Sequence, residues 1–193
     1  MSGFRYKTEV YQCTVPVEEY LESCLDVPRF LGYCRQCENY GKIWSCPDFD
    51  FDPEAYFRQY DTITILGHKI ILDEELTSKT VTKEEQKQLL DDLLEGPKKR
   101  LDRELLEMES RHPGSRALSG GSCLYCNPGS CARLTGDPCR FPEKMRYSIE
   151  ALGGNVGLTV TKYLHQELEW MEDRHLPHHF ILVGGLLYNQ PHS

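Results

Sequence analysis

Seven of the nine cysteines fall into two tight groups, and thiolates spaced in this way hold metal well. Cys123-Leu124-Tyr125-Cys126 is a C-x2-C knuckle whose sulfurs can converge on one ion or cluster. Cys131 and Cys139 follow, so the full spacing is C-x2-C-x4-C-x7-C. Four thiolates within seventeen residues can close a tetrahedral zinc site or bind an iron–sulfur cluster. Gly120, Gly121, Ser122, Gly129 and Ser130 let backbone N–H groups come close to the sulfurs, which tunes a cluster's potential. Pro128 and Pro138 stiffen the same loop. The spacing is neither of the common ferredoxin orders, nor a zinc finger built from two knuckles. Iron–sulfur is the expected occupant and zinc the alternative.

The other group is Cys34-Arg35-Gln36-Cys37, followed by Cys46-Pro47. It supplies three close cysteines and leaves the fourth ligand open. Cys24, Cys13, a histidine or a non-protein ligand can fill it. Cys24 is the expected fourth ligand of a closed site, since Pro28 and the Phe30-Leu31 segment can turn the chain back. The plainer alternative is that Cys13 and Cys24 are core thiols. An open position on this site is the one route by which the sequence suggests an enzyme.

Composition narrows the possible functions. The net charge is −8, which gives no basic footprint for nucleic acid. No apolar run approaches the roughly 18 residues of a membrane span. Arg5, Lys7, Glu9, Glu18 and Glu19 interrupt any export-signal core in residues 1–20, so a cytoplasmic location with reduced thiols is expected. A disulfide scaffold is disfavoured on the same ground.

Several elements must position these loops. Asp52-Pro53 reads as a cap opening a short helix through about Tyr60. Thr62 to Leu66, extending past Gly67 to Leu72, reads as a buried strand. Thr82 and Glu85 form a capping-box signature. The leucines at 90, 94, 101 and 105 keep one face apolar across Gly96-Pro97, giving two helices or one kinked helix before Pro113. The alternating charges from Asp73 to Arg111 read as a solvated face. A short strand at Ala117-Leu118 leads to the second cysteine loop. Pro142 opens an expected helix through Leu152, and a further helix is possible from about Thr161. Phe180 to Tyr188 reads as a closing strand broken at Gly184-Gly185. The expectation is one domain over 1–193, of α/β or α+β class: a small layered sheet with flanking helices and two cysteine-rich metal-binding loops.

Other groups carry weaker signals. Arg140, Lys144 and Arg146 flank the expected helix start at Pro142, a candidate anion site, and Glu150 four residues after Arg146 suggests an i,i+4 pair. Trp44 and Tyr40 can shield a cluster or merely pack. His175, His178 and His179 are weak ligand candidates, and His68 and His165 are isolated.

Two ordered motifs carry a resemblance. Cys34-x-x-Cys37-x-x-Tyr40-Gly41-Lys42-x-Trp44-Ser45-Cys46-Pro47 looks like the first motif of a prokaryotic family of predicted metal-binding proteins of unassigned function. Gly121-Ser122-Cys123-x-x-Cys126, Cys131, Pro138-Cys139-Arg140-x-Pro142 and Arg146-x-Ser148-x-Glu150-Ala151-x-Gly153 resemble its second. The resemblance implies metal ligation by Cys34, Cys37, Cys46, Cys123, Cys126, Cys131 and Cys139, and it supplies no reaction. Residues and resemblance together lead to a cytoplasmic iron–sulfur protein in electron transfer or a reductive reaction, with a redox partner protein. A zinc-stabilised interaction module without catalysis is the alternative.

Overall fold

The two most β-branched and apolar runs of the chain become neighbouring strands at the centre of a sheet. The computed structural model describes residues 5–78, 80–171 and 175–190. Strands β1 (Tyr6–Pro16), β2 (Thr62–Leu72), β3 (Arg116–Leu118) and β4 (His179–Tyr188) lie in the order β1-β2-β4-β3. Every pairing is antiparallel. That makes the fold α+β and removes the α/β half of the expectation.

Period-two alternation sends β2 and β4 side chains to both faces, and helices cover both. On one face Ile63, Ile65, Ile181, Val183 and Leu187 pack with α1 (Val17–Cys24) and α6 (Val156–Tyr163). On the other, Leu66 and Leu186 meet Leu101 and Leu105 of α5 (Lys83–Arg111). Burying each large aliphatic chain contributes roughly 1.5–3 kcal/mol, so this double-sided core is the main store of stability.

Local chemistry starts the helices. Asp26 caps α2 (Val27–Cys34), Asp52 caps α3 (Pro53–Phe57) and Asp73 caps the single turn α4 (Glu74–Thr77). Thr82 and Glu85 form the expected capping box of α5, which runs through Gly96-Pro97 as one helix of 29 residues.

Two expectations are corrected, and one strand goes unanticipated. β4 is continuous through Gly184-Gly185, because those glycines permit close approach: a Cβ on Gly184 would lie 2.5 Å from Leu105 Cδ1 and 2.6 Å from the Leu118 carbonyl. No helix forms from Pro142 to Leu152. The backbone there turns to serve β3, with Ser119 N–H donating to the Tyr147 carbonyl at 2.8 Å and a bridge joining Ser119 to Ser148. β1 went unread because it is an edge strand, exposed on alternate residues and interrupted by charge. Among the described residues no helix is long and apolar enough to cross a membrane.

Candidate metal centre

Both cysteine loops hang from the ends of regular elements. The first begins where α2 ends at Cys34. It then folds through tight turns, Cys37 N–H to the Cys34 carbonyl at 2.9 Å and Cys46 N–H to the Ile43 carbonyl at 3.0 Å. Gly41, with φ of 68°, donates to the Pro47 carbonyl at 2.7 Å and closes the loop; a residue with a Cβ would be strained there. The second leaves β3 at Ser119 and contains a 3-10 turn, Ala132–Thr135, with Cys131 as its N-cap.

The structure brings Cys34, Cys37 and Cys46 within electrostatic reach of one another. Cys126 and Cys139 both lie within such reach of Cys123. Among the described residues, no three His, Cys, Asp or Glu side chains stand as a ready-made ligating shell. All nine cysteines are free thiols. Cys24, the expected fourth ligand, lies instead in the hydrophobic core with Val17, Tyr20 and Leu21, 2% exposed. Cys13 sits on β1 opposite Ile65 and packs against the same core. Both are core thiols, as the plainer alternative had it.

The two loops dock directly on each other. Ser45, 1% exposed, accepts the Cys123 N–H at 3.0 Å, while its hydroxyl lies 4.0 Å from Cys46 Sγ. Arg133 of the second loop donates to the Ile43 carbonyl at 3.0 Å and the Cys46 carbonyl at 2.6 Å, and also bonds the Asp48 carbonyl. Its guanidinium sits 5.3 Å over the Trp44 ring, whose Nε1–H donates to the Asp137 carbonyl at 3.0 Å. Trp44 is thus a clamp between loops. Sulfur also receives backbone donors: Phe141 N–H reaches Cys139 Sγ at 3.4 Å.

Helix α5 carries the charges that frame this seam, which a reading of its polar residues as a solvated face had missed. Asp102 accepts the Gly120 N–H at 3.0 Å, and Lys98 Nζ donates to the Ser122 carbonyl. Lys98 lies in the field of Asp102, Glu150, Cys123 and Cys46, so one cation addresses both cysteine groups; burial nevertheless lowers its pKa. Burial raises Asp102, Cys34 and Cys123 and pushes the Cys46 thiol up to about 11. Cys34, Cys46 and Cys123 are therefore protonated near neutrality when metal-free, and a metal binding them must displace those protons. The one sequence signal for Lys98 was its place just after Gly96-Pro97.

Arg146 does not pair with Glu150. It forms a two-pronged ion pair with Glu109 of α5, at 2.7 and 2.6 Å, and Glu109 also takes the Ala117 N–H at 2.6 Å. Burial alone would raise the Glu109 pKa; those donors outweigh it and hold the carboxyl below its ordinary range. Arg140 donates to the Ser130 carbonyl at 2.6 Å, and with no helix at Pro142 the expected anion site is not formed. His178 and His179 both approach Glu169, at 3.3 and 3.1 Å. His68 of β2 stands 3.0 Å from Glu104 of α5.

Beside the second loop opens a cleft of about 430 Å³, lined by Leu124 and Tyr125 with Lys99, Arg103, Glu107 and Lys144. No curated protein and no solved structure matches the chain. One family model does, over residues 26–188, a span that starts at the Asp26 cap of α2, ends with β4 and contains all seven loop cysteines. The chain belongs to the family described as "Predicted metal-binding protein (DUF2284)".

Proposed function

We propose that this metal-binding protein carries iron–sulfur chemistry on its two cysteine loops and serves electron transfer or a reductive reaction in the cytoplasm. Cys34, Cys37 and Cys46 are the ligands of one loop, and Cys123, Cys126, Cys131 and Cys139 those of the other. The observation that carries the reading is the docking of two thiol-rich loops through Ser45, Arg133 and Trp44, with Lys98 addressing both.

The donor set suits such a group. Thiolates are the usual cluster ligands, and hydrogen bonds to sulfur with burial set the potential. Here the Phe141 N–H bonds Cys139 Sγ, and the Lys98 cation offsets the negative charge that thiolates would bring. A bound cluster supplies one-electron chemistry. The protein's own residues hold the loops together, exclude water from the Ser45 seam and present the cleft beside Tyr125 to a redox partner protein or substrate.

Anaerobic purification followed by a visible spectrum and iron, sulfide and zinc analysis tests this. Brown protein with stoichiometric sulfide is the expected result. Colourless protein holding only zinc overturns it in favour of a zinc-stabilised interaction module.

A further inference from the structure

Three cations line the cleft beside the second cysteine loop, and two of them are uncompensated. Lys99 pairs with Glu95 one turn away. Among the described residues, the side chains of Arg103 and Lys144 make no hydrogen bond or ion pair. The two carboxylates on the same walls are already answered. Asp102 accepts the Gly120 N–H at 3.0 Å and lies in the field of Lys98, and Glu107 stands 3.8 Å from Arg111. In a chain of net charge −8, this cleft is left with local positive charge to spare.

The remaining walls are apolar, and the space suits a small molecule. Its volume of about 430 Å³ falls within the usual range of ligand sites. Leu106 of α5 lines one part, and Leu124 and Tyr125 of the second loop line another. Leu124 is a large apolar side chain left 37% exposed. The Tyr125 ring is held beside Phe141, with centroids 6.0 Å apart, and among the described residues its hydroxyl has no hydrogen-bond partner. Such walls bury an apolar body, while a few polar groups fix its direction. The planar fork of an arginine matches the two oxygens of a carboxylate, and a lysine adds a point charge beside it.

We propose that this cleft binds a small carboxylate carried on a flat apolar body, its charge held by Arg103 and Lys144 and its body against Leu106, Leu124 and Tyr125. Leu124 and Tyr125 are the two residues inside the Cys123–Cys126 knuckle, and the Tyr125 N–H addresses the Cys123 thiol. The bound molecule therefore sits against the second cysteine loop. That it is the substrate of that loop rests on the function proposed above; that it binds does not.

Naphthoate is the probe, and naphthamide, of the same shape without the charge, is its control. Both are titrated by calorimetry into the full chain as purified. Naphthoate should bind at a single site with a dissociation constant of about a millimolar or tighter. Naphthamide should bind about tenfold more weakly, having no charge for the two cations. R103E and K144E should each weaken naphthoate by about three- to tenfold and leave naphthamide within about twofold. K87E, a charge reversal at an exposed pair outside the cleft, should leave both unchanged. Arg103 and Lys144 are exposed, and far-UV circular dichroism confirms that each variant folds. Equal affinity for the two probes, or wild-type naphthoate binding in folded R103E and K144E, overturns the site. Metal content of the same sample separates the two proposals. Metal without naphthoate binding overturns this site alone, whereas charge-dependent naphthoate binding without metal supports the site and overturns the function proposed above.

Discussion

The sheet and the cysteine loops are stabilised in different ways. Around β2 and β4, Ile63, Ile65, Leu118 and Leu187 are fully buried, and two helical layers close over them. Dozens of weak contacts share that load, and none needs a particular donor. The loop region has little of this. Cys37 is exposed, and the docking rests on a few directed bonds made by Ser45, Trp44, Arg133, Lys98 and Asp102. The difference leads to the expectation that stability and metal chemistry are separable here: the sheet should stand without metal, whereas the loops are held in register by single side chains.

Substitution inside the sheet tests the first half of that contrast most severely. Ile65→Ala removes a fully buried side chain facing α6 and should cost about 2–5 kcal/mol in denaturant unfolding. The metal bound per folded chain should not change. Loss of metal at the same denaturant-free condition would show the two regions to be one unit.

Arg133→Ala attacks the other half. It deletes three bonds to first-loop carbonyls and the cation over Trp44. Metal affinity should fall by about 10–100-fold, read by chelator competition, with a smaller change in unfolding midpoint than Ile65→Ala produces. An equal loss of stability would erase the distinction.

The direction of the pH dependence sharpens it further. Burial raises Cys34 and Cys123 and pushes Cys46 to about 11, so metal-free protein holds protonated thiols at neutral pH. Binding releases those protons, and apparent affinity should rise by about tenfold per pH unit for each one released. Titrations at about pH 6 and about pH 8 check this; a flat profile contradicts protonated free thiols.

The smallest effect should be that of metal removal on the sheet. After chelation under reducing conditions, amides of Ile63 and Ile65 should keep their hydrogen-exchange protection. Amides near Cys46 and Cys123 should lose theirs. Collapse of protection in β2 would mean the metal holds the whole fold.

What the sequence determined by itself was whatever neighbours along the chain can decide. Asp52-Pro53 and Thr82 with Glu85 start helices because a cap needs only the next three residues, and the run from Thr62 is a strand because its side chains suit burial on both faces. The two cysteine motifs were legible for the same reason, since a knuckle is a local spacing. Tertiary structure decided the rest. Gly184-Gly185 stays in β4 because Leu105 and Leu118, distant in sequence, fill the space a Cβ would need. The segment after Pro142 gives up its helix to bond Ser119, and Arg146 finds Glu109 rather than Glu150. Above all, Ser45 meets Cys123 and Arg133 meets Cys46 across separations of 78 and 87 residues. Such contacts exist only after the sheet has paid the entropy of bringing those segments together. Spacing along the chain can therefore show which thiols belong to one loop, but only the fold shows that Lys98 of α5 acts on both.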